Sequence, residues 1–540
     1  MKKIPIGVED FKDLITDNYY IDKTKLIEDI ENDGSKVKLF CRPRRFGKTL
    51  NMSTIKYFFN IEKSEENREL FNGLYIEKSP YIEEQGKYPV IFISMKGITS
   101  STWSGAVKSI GEKIFELYNE YDGKINNILT ENENKIFNRF AGKESEEEEL
   151  KTSLSFLTKL LYKYYNKKVV VLIDEYDSPI MTAYEKGYYI EMKDFLKAFY
   201  GNVLKTNEYL QMGVLTGIIR VAQAGIFSDL NNFISYNDYS QSFGLTEKEV
   251  ENMLKYYQIE YEMSDVKKWY DGYSFGKDEI YNPWSILNFV KNRELKTYWI
   301  NTSSNFMIRE LLQKSGEEGL STLEKIFNQE EVAVRITDNV RLGNNLSVSE
   351  VWELMLYSGY LTVKEKLDDG RYLVRIPNME IMKFFKDEFL TIIFGEYRVV
   401  DELRDALYDK NLRQLDRSIE RLILSVMSFH DINKKYENSY HMLLAGFFYA
   451  LDGYYITKSN VEAGYGRADI LLIPKDKNKT GYILELKRAD SSNLEKKAEE
   501  ALKQIDDKKY YVELERYGIK DIVKIGYVFD GKKVESSYNF

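Results

Sequence analysis

The sequence predicts an α/β protein of several domains, and three stretches carry that prediction. Val37 to Cys41 is a mostly apolar run that enters a loop of Arg, Pro, Phe and Gly and then a helical period. Val169 to Ile173 is a fully apolar run that ends in Asp174 and Glu175. Ala468 to Ile473 and Tyr482 to Lys487 are two strand-like runs on either side of the polar turn Pro474 to Thr480. A chain of 540 residues has room for roughly three or four domains, each with its own core.

Composition narrows the function classes. Apolar residues at 43% and charged residues at 30% are ordinary for a globular protein and argue against long disorder. The net charge of −9 gives no global attraction to a polyanion, so any nucleic-acid contact needs local basic patches. One cysteine, Cys41, excludes an intramolecular disulfide, and with only His430 and His441 beside it a Cys/His zinc site is excluded too. Any metal is therefore expected to be hard and oxygen-ligated, magnesium or manganese at carboxylates. The first residues lack a signal peptide's apolar core, and the longest apolar run, Met442 to Leu451, is about half a membrane span. A cytoplasmic protein with no membrane partner is expected.

Along the chain, Lys48 to Asn60 fits a helix with Leu50, Met52, Ile55 and Phe58 inward. Pro89 to Met95, Val169 to Ile173 and Gln211 to Thr216 read as further strands, with helices at Trp103 to Tyr118 and Leu150 to Tyr165 between them. Strands alternating with helices predict a parallel sheet with covered faces. The acidic run Glu144 to Glu149 reads as a solvated helix start. Residues 246 to about 320 read as mostly helical, Gly244-Leu-Thr246 supplying a cap for a helix over Glu247 to Tyr257. Ser347 caps a helix running to Tyr357, and a hairpin about Asp368-Asp-Gly370 follows, a pattern compatible with a winged helix. A helical stretch from about 400 to 452 precedes a return to strands, the last at Val523 to Phe529. The expected domains are 1–245, a helical lid at 246–330, a winged-helix region at 331–400, and a helical linker with an α/β domain at 401–540.

A phosphate-binding loop needs backbone N–H groups curved around the phosphates, a lysine for the outer phosphates and a hydroxyl for magnesium. Lys48 and Thr49 match the last two roles, and Gly47 permits close backbone approach. Arg42 stands where the usual pattern has its first glycine, so its side chain must point away from the phosphates or contact them. Asp174 and Glu175 lie at the carboxyl end of their strand, where open α/β sheets bind ligands. Asp174 would hold magnesium through water and Glu175 would polarise the attacking water; an Asp-Glu pair capping the next helix is the plainer alternative. Thr216, ending the next strand, could be a polar sensor. Arg220 could reach the γ-phosphate in cis or across a subunit interface, or be an ordinary surface arginine.

Arg42-Pro-Arg-Arg-Phe-Gly-Lys-Thr49, Leu172-Ile-Asp-Glu-Tyr-Asp177, Thr216-Gly-Ile-Ile-Arg220 and Phe243-Gly-Leu-Thr-Glu247 together resemble the prokaryotic AAA-ATPase-like family, related to AAA+ and STAND ATPases. Trp269-Tyr-Asp-Gly-Tyr273 and Tyr281-Asn-Pro-Trp284 match its usual continuation, so the resemblance spans roughly residues 3 to 290. It implies ATP bound by Arg42, Arg44, Arg45, Phe46, Gly47, Lys48, Thr49, Asp174, Thr216 and Arg220, with Mg2+ at Thr49 and Asp174. Replacement of the first glycine is the norm in that family.

In the C-terminal hairpin the turn's midpoint, residue 477, is equidistant from Asp469 and Glu485. A symmetric hairpin sets these acids opposite each other on one face, and Lys487, two residues on, points the same way. Two acids can hold magnesium and activate water, while the lysine orients that water or stabilises developing charge. An ordinary charged surface hairpin is disfavoured because Leu471, Ile473 and Ile483 share the face. Glu437 opens a helix-like stretch upstream.

Asp469, Glu485 and Lys487, with Glu437 as the first-helix acid, resemble the PD-(D/E)XK nuclease signature. Ser459-Asn-Val-Glu-Ala-Gly-Tyr-Gly-Arg-Ala-Asp469 and Gln504-Ile505 resemble the nuclease-like module often fused to this ATPase family. Glu462 is a rival to Glu437, and His441 reads as a satisfied structural histidine, with a place near the site as the alternative. The resemblance implies a restriction-endonuclease-like domain over about 430 to 530, with Mg2+ at Glu437, Asp469 and Glu485. The expected whole is an ATPase controlling a magnesium-dependent nuclease on nucleic acid, with DNA the expected substrate and a homo-oligomer if Arg220 acts in trans. The rival reading is a nucleotide-dependent switch whose nuclease-like domain binds without cutting.

Overall fold

The computed structural model describes residues 1–205, 207–220, 239–299, 322, 325–326, 329–336, 347–385, 398–429, 437–449, 451, 453–489, 493–531 and 533–540. The chain divides into two compact units. One holds Met1–Trp299 and Trp352–Val363, and the other holds Lys364–Phe540 with short earlier pieces.

The core of the first unit is a four-stranded parallel sheet of β1 (Val37–Cys41), β2 (Val90–Ser94), β3 (Val169–Asp174) and β4 (Leu210–Gly217). Their order is β1-β4-β3-β2, all pairs parallel. Every residue of β3 is buried, as expected of a strand covered on both faces. Helices Trp103–Asn119 and Ser153–Tyr165 lie between the strands in sequence, at the places their periodicity predicts. The acidic run supplies a short helix, Glu147–Leu150, closed by a capping box of Glu146 and Glu149. Helix Lys48–Phe59 buries Met52, Ile55 and Phe58, while Leu50 is only half-buried.

Beyond the sheet, Thr246 caps helix Glu247–Tyr256 with a full capping box. The region read as mostly helical also contains a short hairpin, β5 (Tyr273–Phe275) and β6 (Asp278–Ile280), turned at Gly276 with φ 64°. Its strands are three residues each, too short for a period-2 pattern to show. Further on, Ser347 and Glu350 cap helix Val348–Ser358 reciprocally. β7 (Val332–Val334), β8 (Thr362–Lys366) and β9 (Tyr372–Arg375) form a three-stranded sheet in the order β7-β9-β8.

The second unit is built on a five-stranded sheet of β10 (Tyr455–Ala463), β11 (Gly466–Pro474), β12 (Gly481–Arg488), β13 (Ile522–Asp530) and β14 (Lys533–Asn539), hydrogen-bonded in that order. The β12–β13 pair is parallel and the others are antiparallel. Helix Leu494–Asp507 crosses from β12 to β13 and packs on the sheet. Leu471, Ile473, Ile483 and Ile505 share one core beneath it with Tyr510 and Leu514.

Candidate functional site

Parallel pairing puts the carboxyl ends of β1, β3 and β4 on one edge, and that edge is where the first constellation assembles. β1 leads into the loop Arg42 to Gly47. Gly47, at φ 80°, turns the chain into the helix that begins at Lys48. The left-handed conformation strains any residue but glycine, yet Arg45 (φ 70°) and Glu175 (φ 52°) also adopt it.

Thr49 Oγ1 donates to Asp174 Oδ2 at 2.9 Å, and Thr216 Oγ1 donates to the other carboxylate oxygen. The strand-end acid is thus fixed from both sides and fully buried. Lys48 Nζ donates to the carbonyls of Arg42 (2.9 Å) and Pro43 (2.8 Å). Burial lowers its pKa, and the charges of Asp177, Asp174 and Glu175 oppose that shift. Glu175 is half-buried; burial, then repulsion from Asp174, raises its carboxyl pKa. Asp177, also buried, accepts from the backbone N–H groups of Ile218 and Ile219, both at 2.8 Å. Gly217 is required beside it, because a Cβ there would lie 2.5 Å from the Tyr176 ring and 2.8 Å from Asp177 Oδ1.

The loop's side chains divide into inward and outward sets. Arg42 folds back, donating to the Cys41 carbonyl at 3.0 Å, with its guanidinium 4.9 Å from the Phe275 ring and 5.4 Å from Phe243. This packing explains how an arginine takes a position that usually needs glycine: the side chain points into aromatic core. Phe46 is likewise buried against Tyr273 and Phe275. Exposed Arg45 lies over the Trp284 ring at 4.1 Å, and Arg44 is half-buried. Arg220 is half-buried and close enough to Cys41 for its charge to act on that thiol, which burial raises to about 12.

The second constellation sits on the sheet of the second unit. The β11–β12 register runs Leu472↔Tyr482, Leu471↔Ile483, Ile470↔Leu484, and its continuation sets Asp469 opposite Glu485. Instead of a further ladder bond, Asp469 Oδ2 accepts from the Leu486 N–H at 2.7 Å. On its other side the β10–β11 ladder passes over Asn460, which takes φ 51°. Buried His441, on helix Glu437–Tyr449, contacts the backbone there: its Nε2 is 2.9 Å from the Asp469 carbonyl and 3.1 Å from Ser459 Oγ. Asn460 Nδ2 lies 3.3 Å from His441 Nδ1. A carbonyl cannot donate, so Nε2 carries the proton toward Asp469.

Glu485 is 4% exposed, and Gln504 Nε2 donates to its Oε1. The Oε1 of the same glutamine accepts from Lys487 Nζ at 2.8 Å, so one amide ties the acid to the lysine. That reach depends on Gly526, paired with Glu485 across β12–β13. A Cβ there would sit 2.4 Å from the Ala498 carbonyl of the overlying helix. Tyr510 OH accepts weakly from Gln504 Nε2 at 3.4 Å; burial raises its pKa, with smaller contributions from Glu485 and Asp469.

Residues 5–227 match the model of a predicted AAA-ATPase family, and residues 435–538 match the PD-(D/E)XK nuclease superfamily. The chain joins an AAA-ATPase-like domain to a PD-(D/E)XK nuclease-like domain. A relative described as an uncharacterized protein in the vnfD 5′ region of Azotobacter chroococcum mcd 1 is 26% identical over 525 residues, covering 94% of this chain and 93% of the relative.

In the AAA-ATPase-like domain the structure brings together Lys48, Thr49, Asp174, Glu175 and Thr216, while Arg42 and Phe46 contribute backbone to the loop and side chains to the core. In the nuclease-like domain it brings together Asp469, Glu485 and Lys487. Glu437 opens the helix that carries His441, but its side chain lies outside the described residues, as does His430. Exposed Glu462 lies opposite Arg467, one same-face position along the strand from Asp469. Among the described residues no three His, Cys, Asp or Glu side chains gather into one metal cluster. The available donors still suit a hard cation: two carboxylates on one face. No helix among the described residues is long and apolar enough to cross a membrane.

Two further residues emerge only in three dimensions. Gln504 bridges Glu485 and Lys487 from another element, and Asp177 closes the acid edge behind Lys48. Both lie in stretches whose family likeness is visible in the sequence, but their contacts depend on chain crossings that spacing does not reveal.

Proposed function

We propose that this protein is a nucleotide-controlled, magnesium-dependent nuclease acting on nucleic acid, with DNA as its substrate. The observation that carries the reading is the Asp469–Glu485–Lys487 face, with its lysine and buried acid fastened together by Gln504. At the ATPase site, Lys48 would exchange its two loop carbonyls for outer-phosphate oxygens. Thr49 and Asp174, already hydrogen-bonded, would hold Mg2+, and Glu175, with its raised pKa, would orient and deprotonate the attacking water. Thr216 would report phosphate occupancy to Asp174 through their shared hydrogen bond. Arg220 would approach the γ-phosphate, in cis or from a second copy in a homo-oligomer.

At the nuclease site, Asp469, Glu485 and Glu437 would hold Mg2+. When bound, the ion supplies Lewis-acid polarisation of the phosphate and a more acidic water. Lys487 orients that water and offsets charge developing on the phosphodiester. The Leu486 N–H fixes Asp469, and Gln504 fixes Glu485 against rotation.

The test is cleavage of linear and circular DNA and of RNA, with Mg2+, by wild type and Glu485→Ala. Metal-dependent cleavage present in wild type and absent in Glu485→Ala is the expected result. ATP hydrolysis without cleavage of any substrate would favour a nucleotide-dependent switch, a role that the net charge of −9 also suits.

A further inference from the structure

The turn between β10 and β11, which leads into the strand carrying Asp469, presents an aromatic side chain to solvent. Tyr465 is 73% exposed, the most exposed tyrosine among the large exposed hydrophobics of the described residues. The turn beneath it is fixed. Tyr465 N–H donates to the Lys508 carbonyl at 2.7 Å, and Gly464 (φ 54°) packs so closely that a Cβ would lie 2.1 Å from that oxygen. A loose loop would leave an exposed tyrosine without meaning; a turn docked this tightly holds it in one place.

Three cations lie on or beside the turn, one of them, Arg467, facing the exposed Glu462 across the ladder. Lys509 Nζ lies 5.4 Å from the Tyr465 ring, and Lys508 and Lys509 are exposed. Neither makes an ion pair among the described residues. Arg467 is exposed, two residues before Asp469 on the same strand, and therefore on the same face as the acids. Residues 435–538 hold 18 Lys and Arg against 17 Asp and Glu, so the acidic excess of the chain resides outside this module. The turn also touches the acid site through one side chain. A Cβ on Gly466 would be 3.2 Å from Tyr510 OH, and that hydroxyl accepts from the same Gln504 that holds Glu485.

We propose that the Tyr465 turn, with Arg467, Lys508 and Lys509, is the strand-binding lip of the nuclease-like site. Tyr465 stacks on a base of the nucleic acid while the three cations take its flanking phosphates. Stacking on an aromatic ring tolerates any base, whereas the cations supply a salt-dependent grip, so the lip selects an unstacked or single strand without reading its sequence. The inference rests on the nuclease reading above and names the contact that would feed a strand toward Asp469 and Glu485.

The test is fluorescence anisotropy of labelled single-stranded and duplex oligonucleotides of about 20 nucleotides, using the full chain with Glu485→Ala to prevent cutting. Adding Tyr465→Ala is expected to weaken single-strand binding by about tenfold, with Tyr465→Trp restoring it. Adding Lys508→Glu with Lys509→Glu is expected to weaken binding and flatten its salt dependence by about two ionic contacts. Thermal melts check that each variant is folded. Unchanged binding in the folded Tyr465→Ala and lysine variants would overturn the lip while leaving the nuclease reading in place. A parent chain that binds neither oligonucleotide would overturn both.

Discussion

Asp469 lies opposite Glu485, and the backbone ladder between their strands stops one pair short of them. Its place is taken by a carboxylate: Asp469 Oδ2 receives the Leu486 N–H that a strand partner would otherwise accept. Across β10 the ladder passes over Asn460, and His441 meets the Asp469 carbonyl instead. The sheet is opened at the residue expected to hold metal, and side chains on other elements fix the opening in shape.

Gln504 is the most informative of those side chains to remove. Gln504→Leu keeps the volume but withdraws the donor to Glu485 and the acceptor from Lys487. Cleavage is expected to fall by about 10–100-fold, the usual cost of losing support behind a metal ligand, while the ATPase rate holds. Parallel cleavage and ATPase assays on one preparation check this. Equal cleavage by Gln504→Leu and wild type would show that the bridge is only structural.

At the other site, Lys48→Ala and Glu175→Gln should separate binding from chemistry. Lys48→Ala removes a charged donor that the phosphates would use, so ATP affinity is expected to drop at least about tenfold. Glu175→Gln keeps the shape and removes the base. ATP should still bind, with turnover reduced by about 10²–10⁴-fold. Equilibrium binding of a fluorescent ATP analogue, with phosphate release, reads both.

Asp271 predicts a pH dependence of stability. It is 2% exposed, and burial raises its carboxyl to about 6, with Lys267 only 3.5 Å away to offset the shift. A raised carboxyl pKa means that the folded state retains a proton the unfolded chain has lost. Stability from this group is therefore full below the unfolded value near 4 and is lost as pH rises through about 6. Asp271→Asn, which cannot ionise, should gain stability relative to wild type by about 1–3 kcal/mol on going from about pH 4 to about pH 8. Urea melts of both proteins at the two pH values check it; a pH-independent difference would mean that Asp271 does not titrate in this range.

Gly526→Ala tests the packing that carries Gln504 to Glu485. The added methyl would meet the Ala498 carbonyl at 2.4 Å and the Leu502 nitrogen at 2.6 Å, backbone atoms that cannot rotate aside. A cost of about 1–3 kcal/mol is expected, together with loss of cleavage, as the helix lifts. Denaturant melts and cleavage assays should move together.

Much of this arrangement is visible in the sequence because local chemistry determines it. Five apolar residues running into Asp174 mark a buried strand delivering an acid, and the symmetry of Asp469 and Glu485 about residue 477 anticipates their register. Other features depend on residues far apart in the chain. The destination of the Arg42 guanidinium is set by Phe243 and Phe275, some 200 residues away, so a loop motif could not reveal it. β10 is obscured because its inward face carries the polar Thr457 and buried Ser459 while Ile456 points outward, which blurs its alternation. The hairpin at Tyr273–Ile280 is too short to announce itself beside its helical neighbours.

The most direct test of ATP control over cutting is the Mg2+-dependent cleavage rate, with and without ATP, of wild type, Glu485→Ala and Lys48→Ala. Cleavage should be at least about 10³-fold slower in Glu485→Ala, and in Lys48→Ala it should no longer respond to ATP. Equal cleavage by wild type and Glu485→Ala would contradict the nuclease site, and an unchanged ATP response in Lys48→Ala would contradict the control.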